Sequence, residues 1–466
     1  MRHYKTALVL GLAASGEAAA RLLLAEGTQV VVMDRGDSEI LCRCAATLQA
    51  LGAEVHLGVT APPPGDFKIA IVSPGITASS DTVKSVMARG IPVVSELELG
   101  WSRSACRVLA ISGSNGKSTL VKLCAEALVQ AGRSVAIAGN YGPPISAVVS
   151  EHQPCQRHRP CRRHRPLDWL VLEVSSFQLE TVQAFRPDVG VLLNVTPNHL
   201  DRHGDFQTYR QIKSRLFARM TPTDTGVTDR NILPEIRTLA GSPNRWIAAG
   251  VNPVLGVHPT SGVHPVPEFF YQASAIHSSL GRERIELRGT LFDNEIMGLT
   301  AAAAAAALSC CGVEGRYLAA AARAFQPLPH RLQDVGTVRG IRFVNDSKAT
   351  NLAAMMAALA MTRGPVRLIA GGLPKCESYG LARELLEEKV ATVYLIGQAA
   401  ETMAMAWREA VSCVMGGTLE QAVAQAWREA RPGDTILLSP ACASFDQFRS
   451  FEERGECFIS AIRALS

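Results

Sequence analysis

The 466-residue chain contains no apolar run near the ~18 residues that a helix needs to cross a bilayer, so no transmembrane span and no membrane partner are expected. Aromatic residues are scarce, at 6% against 47% hydrophobic residues overall. With 38 Gly and 25 Pro, the balance is that of an ordinary globular protein rich in small side chains, which excludes fibrous and disordered classes. A disulfide framework is missing as well. The 12 cysteines show no fixed spacing, and Cys106, Cys124, Cys310 and Cys311 lie in apolar stretches that read as buried, so reduced cysteines in the cytosol are the simpler account. Nor is there a general excess of positive charge. Lys and Arg total 47 against 42 Asp and Glu, but five of the arginines fall within residues 152–166, which hold no acidic residue, and the remainder balances. A nucleic-acid-binding surface would spread its basic residues over a face or groove, so no nucleic-acid partner is expected.

What is present is a long alternation of short apolar strands with helix-length segments, the pattern of parallel sheets with crossover helices. The clearest strands are Ala7–Leu10, Val30–Met33, Ile69–Val72, Val108–Ile111, Val135–Ala138, Trp169–Glu173, Val189–Asn194, Arg342–Val344, Val366–Ala370, Thr392–Ile396 and Thr435–Leu438. At about 150 residues per domain, the length suggests roughly three α/β domains. The first residues, basic and then apolar and small, superficially fit a secretory leader. Glu17 and Arg21 interrupt that pattern, and strand, glycine turn and helix describe the stretch better. Residues 154–166 read PCQRHRPCRRHRP and place His152, Cys155, His158, Cys161 and His164 three apart. Zinc binding is one reading of that segment, and a solvated basic insertion is the other. The alanines Ala301–Ala307 are expected to be helical by propensity.

Three glycine-bearing turns carry the chemistry. Gly11-Leu-Ala-Ala-Ser-Gly16 follows a strand and opens a helix, and Asp34 ends the next strand, as in a βαβ unit that binds a phosphorylated ligand at a helix N-terminus. Ala13 stands where a second glycine would let backbone approach a pyrophosphate, which disfavours tightly held NAD. Ser73-Pro-Gly75 adds a second loop at the same sheet edge. Ser112-Gly-Ser-Asn-Gly-Lys-Ser-Thr119 is a phosphate loop, two residues shorter than the general form. Its backbone N–H groups would wrap a phosphate, Lys117 would supply a charge, and Ser118 a hydroxyl for Mg²⁺. Glu173, at the end of an apolar strand, is placed to reach the metal of a bound nucleotide. His199 by itself is as readily a loop histidine as a ligand.

The set Gly113–Thr119, Glu173-Val-Ser-Ser-Phe-Gln-Leu-Glu180, Thr196-Pro-Asn-His-Leu-Asp-Arg-His203, Leu328-Pro-His-Arg331, Asn345-Asp-Ser-Lys-Ala-Thr-Asn351 and Ser439–Phe448 resembles the Mur ligase family, in one order from near residue 7 to near residue 458. Within that family the Ser439–Phe448 stretch is most similar to the members that add D-glutamate. The resemblance implies a Rossmann-like N-terminal domain (1–95) for the UDP end of the substrate, a central P-loop ATPase domain with a parallel sheet (96–326), and a Rossmann-like C-terminal domain (327–466) for the amino acid. It implies a cytoplasmic, monomeric ligase in peptidoglycan precursor synthesis, in which ATP phosphorylates the carboxylate of UDP-MurNAc-L-Ala and the amine of D-glutamate attacks the acyl phosphate. Carried over residue by residue, Lys117, Glu173, His199 and Lys213 are catalytic. Ser118, Glu173, His199 and a carbamylated Lys213 would hold two Mg²⁺ ions. Gly113, Ser114, Asn115, Gly116, Lys117, Ser118 and Thr119, with Arg331 and Asp346, would bind ATP, although an interdomain salt bridge is a second reading of the last pair. Ala14, Ser15, Asp34, Arg35, Ser73, Gly75, Asn140 and Ser175 would line the UDP-muramoyl side. Lys348, Thr350, Lys375, Ser444 and Phe451 would hold D-glutamate.

Two other readings stay open: a superfamily ligase such as a folylpolyglutamate synthetase, and a catalytically silent protein that binds nucleotide or UDP-sugar. The chain also departs from the family pattern. Where relatives show G-x-H-N-x-x-N, this sequence has Gly298-Leu-Thr-Ala-Ala-Ala-Ala, so Thr300, Ala301 and Ala304 replace the histidine and two asparagines. The loss of one adenine hydrogen bond costs on the order of 1 kcal/mol, so we expect an ATP KM about tenfold above that of asparagine-containing relatives and weaker discrimination against GTP. Steady-state assays with both nucleotides check this.

Overall fold

A computed structural model describes residues 3–152, 166–251, 267–279, 283–374 and 378–465. The first sheet comprises β1 (Thr6–Leu10), β2 (Gln29–Met33), β3 (Glu54–His56), β4 (Ile69–Val72) and β5 (Val93–Ser95). Its order is β3-β2-β1-β4-β5 and all its pairs are parallel. Strands β1 and β4 are continuous apolar runs because helices cover both faces of a parallel sheet; Ala7 to Leu10 have no exposed surface. The stretch that superficially fits a leader is this buried strand, followed by the helix Ala14–Ala25.

The second sheet runs through β6 (Arg107–Ser112), β7 (Val135–Gly139), β8 (Trp169–Glu173), β9 (Val189–Leu192), β10 (Thr225–Asp229), β11 (Arg245–Val251), β12 (Phe269–Gln272), β13 (Ala275–Ser278) and β14 (Arg284–Glu286). Its order is β14-β13-β12-β11-β10-β9-β6-β8-β7. The third holds β15 (Gln333–Val338), β16 (Ile341–Asn345), β17 (Val366–Gly371), β18 (Val390–Ile396), β19 (Ser412–Gly417) and β20 (Thr435–Leu438), in the order β15-β16-β20-β17-β18-β19. The architecture is three α/β domains, as the alternating pattern implies. The parallel expectation needs one correction, at the edges. Strands β12, β13 and β14 pair antiparallel, and so do β15 and β16. These are hairpins, whose short loops leave no room for a crossover helix.

The chain divides into two compact units, Met1–Val195 with Gly204–Ala324, and Thr196–His203 with Phe325–Ser466. In the first, the alanine run lies inside the helix Glu295–Cys310, with Ala301 to Ala307 all buried. Methyl side chains let this helix pack closely on β11, β12 and the helix Lys117–Gln130. Cys124 and Cys311 are buried as expected, whereas Cys106 and Cys310 are only partly so. The segment 154–166, with its two readings, lies outside the described residues except for Pro166. Among the described residues no helix is long and apolar enough to cross a membrane.

Carboxylates tie the short helix Glu96–Trp101 into the first unit. Glu96 Oε1 accepts from the Ser146 N–H at 2.7 Å, and Glu98 Oε1 accepts from the Ala184 N–H at 2.9 Å. Burial pushes the Glu96 carboxyl up to about 7. Next to this helix, Arg103 makes a two-pronged ion pair with Glu26, through Nε at 2.9 Å and Nη2 at 3.1 Å, and both side chains are nearly inaccessible. Removing one partner of such a pair strands the other charge, so Glu26→Ala is expected to lower the unfolding free energy by about 3 kcal/mol. An earlier midpoint in urea, read by circular dichroism, would report it.

Candidate active site

The phosphate loop leaves the carboxyl end of β6, a strand buried in mid-sheet. Gly116 caps the helix Lys117–Gln130 in a left-handed conformation, φ 81°, and supplies no side-chain cap, the arrangement in which a helix N-terminus receives an anion. The left-handed torsion is what favours glycine here, since the nearest atom to an added Cβ is the movable end of the Leu193 side chain. Lys117 Nζ folds back onto the carbonyls of Gly113 at 2.9 Å and Ser114 at 3.1 Å.

The loop is held from below by Asn194. Its Oδ1 accepts from the N–H groups of Ser114 and Asn115, each at 3.0 Å, and its Nδ2 donates to the Asn115 carbonyl at 3.1 Å. The expected strand Val189–Asn194 is therefore too long by two residues. Strand β9 ends at Leu192 because Leu193 and Asn194 turn to pack under the loop. Tyr209 adds a brace, its hydroxyl 3.1 Å from Ser114 Oγ.

Glu173, at the end of β8 and 2% exposed, sits against this loop. Its Oε2 accepts from the Ser118 hydroxyl, and its Oε1 accepts from Asn140 Nδ2 at 2.7 Å. Asn140 can come this close because β7 ends in Gly139, where a Cβ would lie 2.3 Å from the Glu173 carbonyl. Lys213 is 1% exposed. Its Nζ donates to the Gly113 carbonyl at 2.9 Å and lies 4.9 Å from the centre of the Tyr209 ring. Burial, with the Lys117 charge beside it, drives the Lys213 amine well below its usual range, against the pull of Glu173. The structure thus gathers Gly113 to Thr119, Asn140, Glu173 and Lys213 in the first unit. Ser175, next to Glu173, caps the helix Ser176–Leu179 in a capping box with Gln178.

His199 lies in the Thr196–His203 segment of the second unit, in a left-handed conformation with φ 56°. Its backbone N–H donates to Asn198 Oδ1 at 3.0 Å.

At the carboxyl edge of the first sheet, Asp34 accepts from the N–H of Leu12 through Oδ2 at 2.7 Å and from the N–H of Gly36 through Oδ1 at 2.8 Å, so it clasps the glycine turn. Ser73 Oγ donates to the Gly11 carbonyl at 3.1 Å, which joins the second loop to the first. Ala14 and Ser15 open a helix without a side-chain cap, and Arg35 and Gly75 are exposed nearby in sequence.

In the second unit Asp346 is buried between Ser439 Oγ, which donates to Oδ2 at 2.9 Å, and the Leu332 N–H, which donates to Oδ1 at 3.1 Å. Burial pushes its carboxyl up to about 7 despite those bonds and the Arg331 charge. Lys348 Nζ lies 3.7 Å above the Phe451 ring. Thr350 follows in the same turn, its N–H on the Lys348 carbonyl at 2.8 Å. Ser444 is buried, and its carbonyl receives the N–H of Phe448 at 2.8 Å. Lys375 lies outside the described residues.

Family models match three consecutive stretches: the Mur ligase MurD-like N-terminal domain over residues 5–95, the Mur ligase middle domain over 111–247, and the Mur ligase glutamate ligase domain over 330–442. The chain is 37% identical over 467 residues to the UDP-N-acetylmuramoylalanine–D-glutamate ligase of Acidobacterium capsulatum, across 99% of this chain and 96% of that protein. The chain belongs to the Mur ligase family. The protein of the same name from Pelotomaculum thermopropionicum is 36% identical over 474 residues, across 99% of this chain and 98% of that one. In fold, this Mur ligase is similar to MurF ligase from Thermotoga maritima, solved in complex with ADP, with a TM-score of 0.59 at 15% identity across 94% of this chain and 96% of that one.

Several side chains that organise this ligase's loops were not picked out from the sequence as site residues. Asn194 and Tyr209 brace the phosphate loop, while Ser347 and Ser439 brace the Asp346 turn. Only their place at the carboxyl ends of strands, or one helical turn from Lys213, could have flagged them. The departures from the family pattern fall in the helix Glu295–Cys310, where Ala301 and Ala304 are fully buried and offer no polar group. Asn194→Ala removes three bonds from the phosphate loop and is expected to raise the ATP KM by roughly tenfold or more, with little change in binding of the UDP substrate. Isothermal titration with each substrate separates the two effects.

Proposed function

We propose that this chain is an ATP-dependent ligase that joins D-glutamate to UDP-N-acetylmuramoyl-L-alanine, acting as a monomer in the cytoplasm to build a peptidoglycan precursor. The observation that carries this reading is the end-to-end match to D-glutamate ligases, in a chain whose phosphate loop, Glu173 and Lys213 converge. The domains are taken as 1–95 for the UDP end, 96–326 for ATP and 327–466 for the amino acid.

A carboxylate is a poor electrophile until it carries a leaving group. A substrate carboxylate oxygen therefore attacks the γ-phosphorus of ATP as the bond to ADP breaks. The amine nitrogen of D-glutamate then attacks the acyl carbon, loses a proton, and phosphate departs. The helix N-terminus at Gly116 and the Lys117 ammonium stabilise the charge that develops on the transferred phosphoryl group. Gly113 to Thr119 wrap the phosphates, and Arg331 and Asp346 are assigned to ATP as well.

Mur ligases use ATP with Mg²⁺. The all-oxygen set of the Ser118 hydroxyl and the Glu173 carboxylate, oriented by Asn140, fits that hard cation. Ser118, Glu173, His199 and carbamylated Lys213 would hold two Mg²⁺ ions, which supply Lewis-acid stabilisation of phosphoryl charge when bound. Burial weakens the basicity of Lys213 and so favours the neutral amine, the form that adds CO₂ to give a carbamate and release a proton. Ala14, Ser15, Asp34, Arg35, Ser73, Gly75, Asn140 and Ser175 serve the UDP-muramoyl substrate. Lys348, Thr350, Lys375, Ser444 and Phe451 serve D-glutamate, whose two carboxylates need cations and donors once desolvated.

The test is phosphate release by purified protein with ATP, Mg²⁺ and UDP-MurNAc-L-Ala, in the presence of D-glutamate, L-glutamate or no amino acid, with products weighed by mass spectrometry. Release that depends on D-glutamate and yields the dipeptide product is expected. Tight binding of the UDP substrate without turnover would instead identify a silent binding protein.

A further inference from the structure

Arg454, in the helix Phe451–Arg463, is 1% exposed, yet among the described residues no carboxylate lies within ion-pair distance of it. Its guanidinium instead meets two separate segments of chain. Nε donates to Ser347 Oγ at 3.0 Å and Nη2 to the Ser347 carbonyl at 2.9 Å; Nη2 also reaches the Cys442 carbonyl at 3.1 Å, and Nη1 the Ala443 carbonyl at 3.3 Å. Ser347 Oγ passes the tie on by donating to the Phe451 carbonyl at 2.8 Å. Space for this arrangement is reserved at Gly372, where a Cβ would lie 3.1 Å from Nη1 and 2.3 Å from the Ala443 carbonyl.

The two segments so joined are those that carry Lys348 and Ser444. Asp446 acts on the cation only at a distance: its Oδ2 accepts from the Gln398 N–H at 3.0 Å and it makes no ion pair with Arg454. Carbonyl dipoles satisfy the donors but leave a full positive charge in a low-dielectric setting, and a group kept there at that cost does more than fill space. Burial lowers the guanidinium to about 10, which still leaves it charged at neutral pH.

We propose that Arg454 is a positioning residue for the incoming amino acid, holding the Ser347 and Cys442–Ala443 segments in register and lending a positive charge without an ion-pair partner to the site of a dianionic ligand. This rests on the reading of the C-terminal domain as the D-glutamate site. Arg454 touches no ligand itself; it acts through the loops and through its field.

The test compares wild type with Arg454→Met, Arg454→Lys and Ser347→Ala by steady-state kinetics, with melting curves and titration of UDP-MurNAc-L-Ala as controls of folding. Arg454→Met is expected to raise the KM for D-glutamate more than about tenfold, while the ATP KM and the UDP-substrate Kd stay within about twofold. Arg454→Lys keeps the charge and is expected to recover much of that loss; Ser347→Ala keeps the charge but loosens the brace and is expected to raise the KM severalfold. A wild-type KM in Arg454→Met, or Lys and Met variants equally impaired, overturns the proposal. Should Arg454→Met not fold, an unchanged D-glutamate KM in both other variants overturns it. If wild type does not turn over D-glutamate at all, the functional reading fails instead.

Discussion

A buried lysine and a buried glutamate lie beside the partly buried Lys117 at the carboxyl end of the second sheet, and the residues around them answer that electrostatic problem. Lys213 and Glu173 are almost inaccessible, and Lys117 stands between loop carbonyls beside them. Charges buried this way are tolerable only when each has a partner in good geometry. The carbonyl of Gly113, the hydroxyl of Ser118 and the amide of Asn140 are those partners. The penalty that burial still places on Lys213 shows as weakened basicity, against the pull of Glu173.

Holding such partners in place demands loops that do not move freely. Asn194 and Tyr209 clamp the phosphate loop, Asp34 clasps the first glycine turn, and Arg454 joins the two loops of the third sheet. Asn194, Asp34 and Arg454 spend their hydrogen-bonding capacity largely on backbone, whereas Tyr209 holds the Ser114 hydroxyl. The chemistry-bearing residues sit at the carboxyl ends of parallel strands, where loops from neighbouring strands meet. The bracing residues sit on the strand or helix next door, which sequence distance conceals.

The alanine-rich helix illustrates a second constraint. Its methyl groups permit close packing on β11, β12 and the helix after the phosphate loop, but positions 301 and 304 then have nothing polar to offer a base.

The sequence by itself determined the α/β class, the three successive domains and the phosphate loop, because strand-length apolar runs and glycine spacing are local properties of the chain. The order of motifs likewise carried the family and, through Ser439–Phe448, the amino-acid class. It did not reveal the antiparallel edges, β12 to β14 in the second sheet and β15 with β16 in the third, nor the early end of β9. Only the tertiary structure decided which side chains brace the loops, because Asn194 meets Ser114 across 80 residues of sequence and Arg454 meets Ser347 across 107. Burial decided the rest: a lysine or an aspartate reads the same on the page whether wet or dry, and only the packing around Lys213, Asp346 and Arg454 shifts their affinity for a proton.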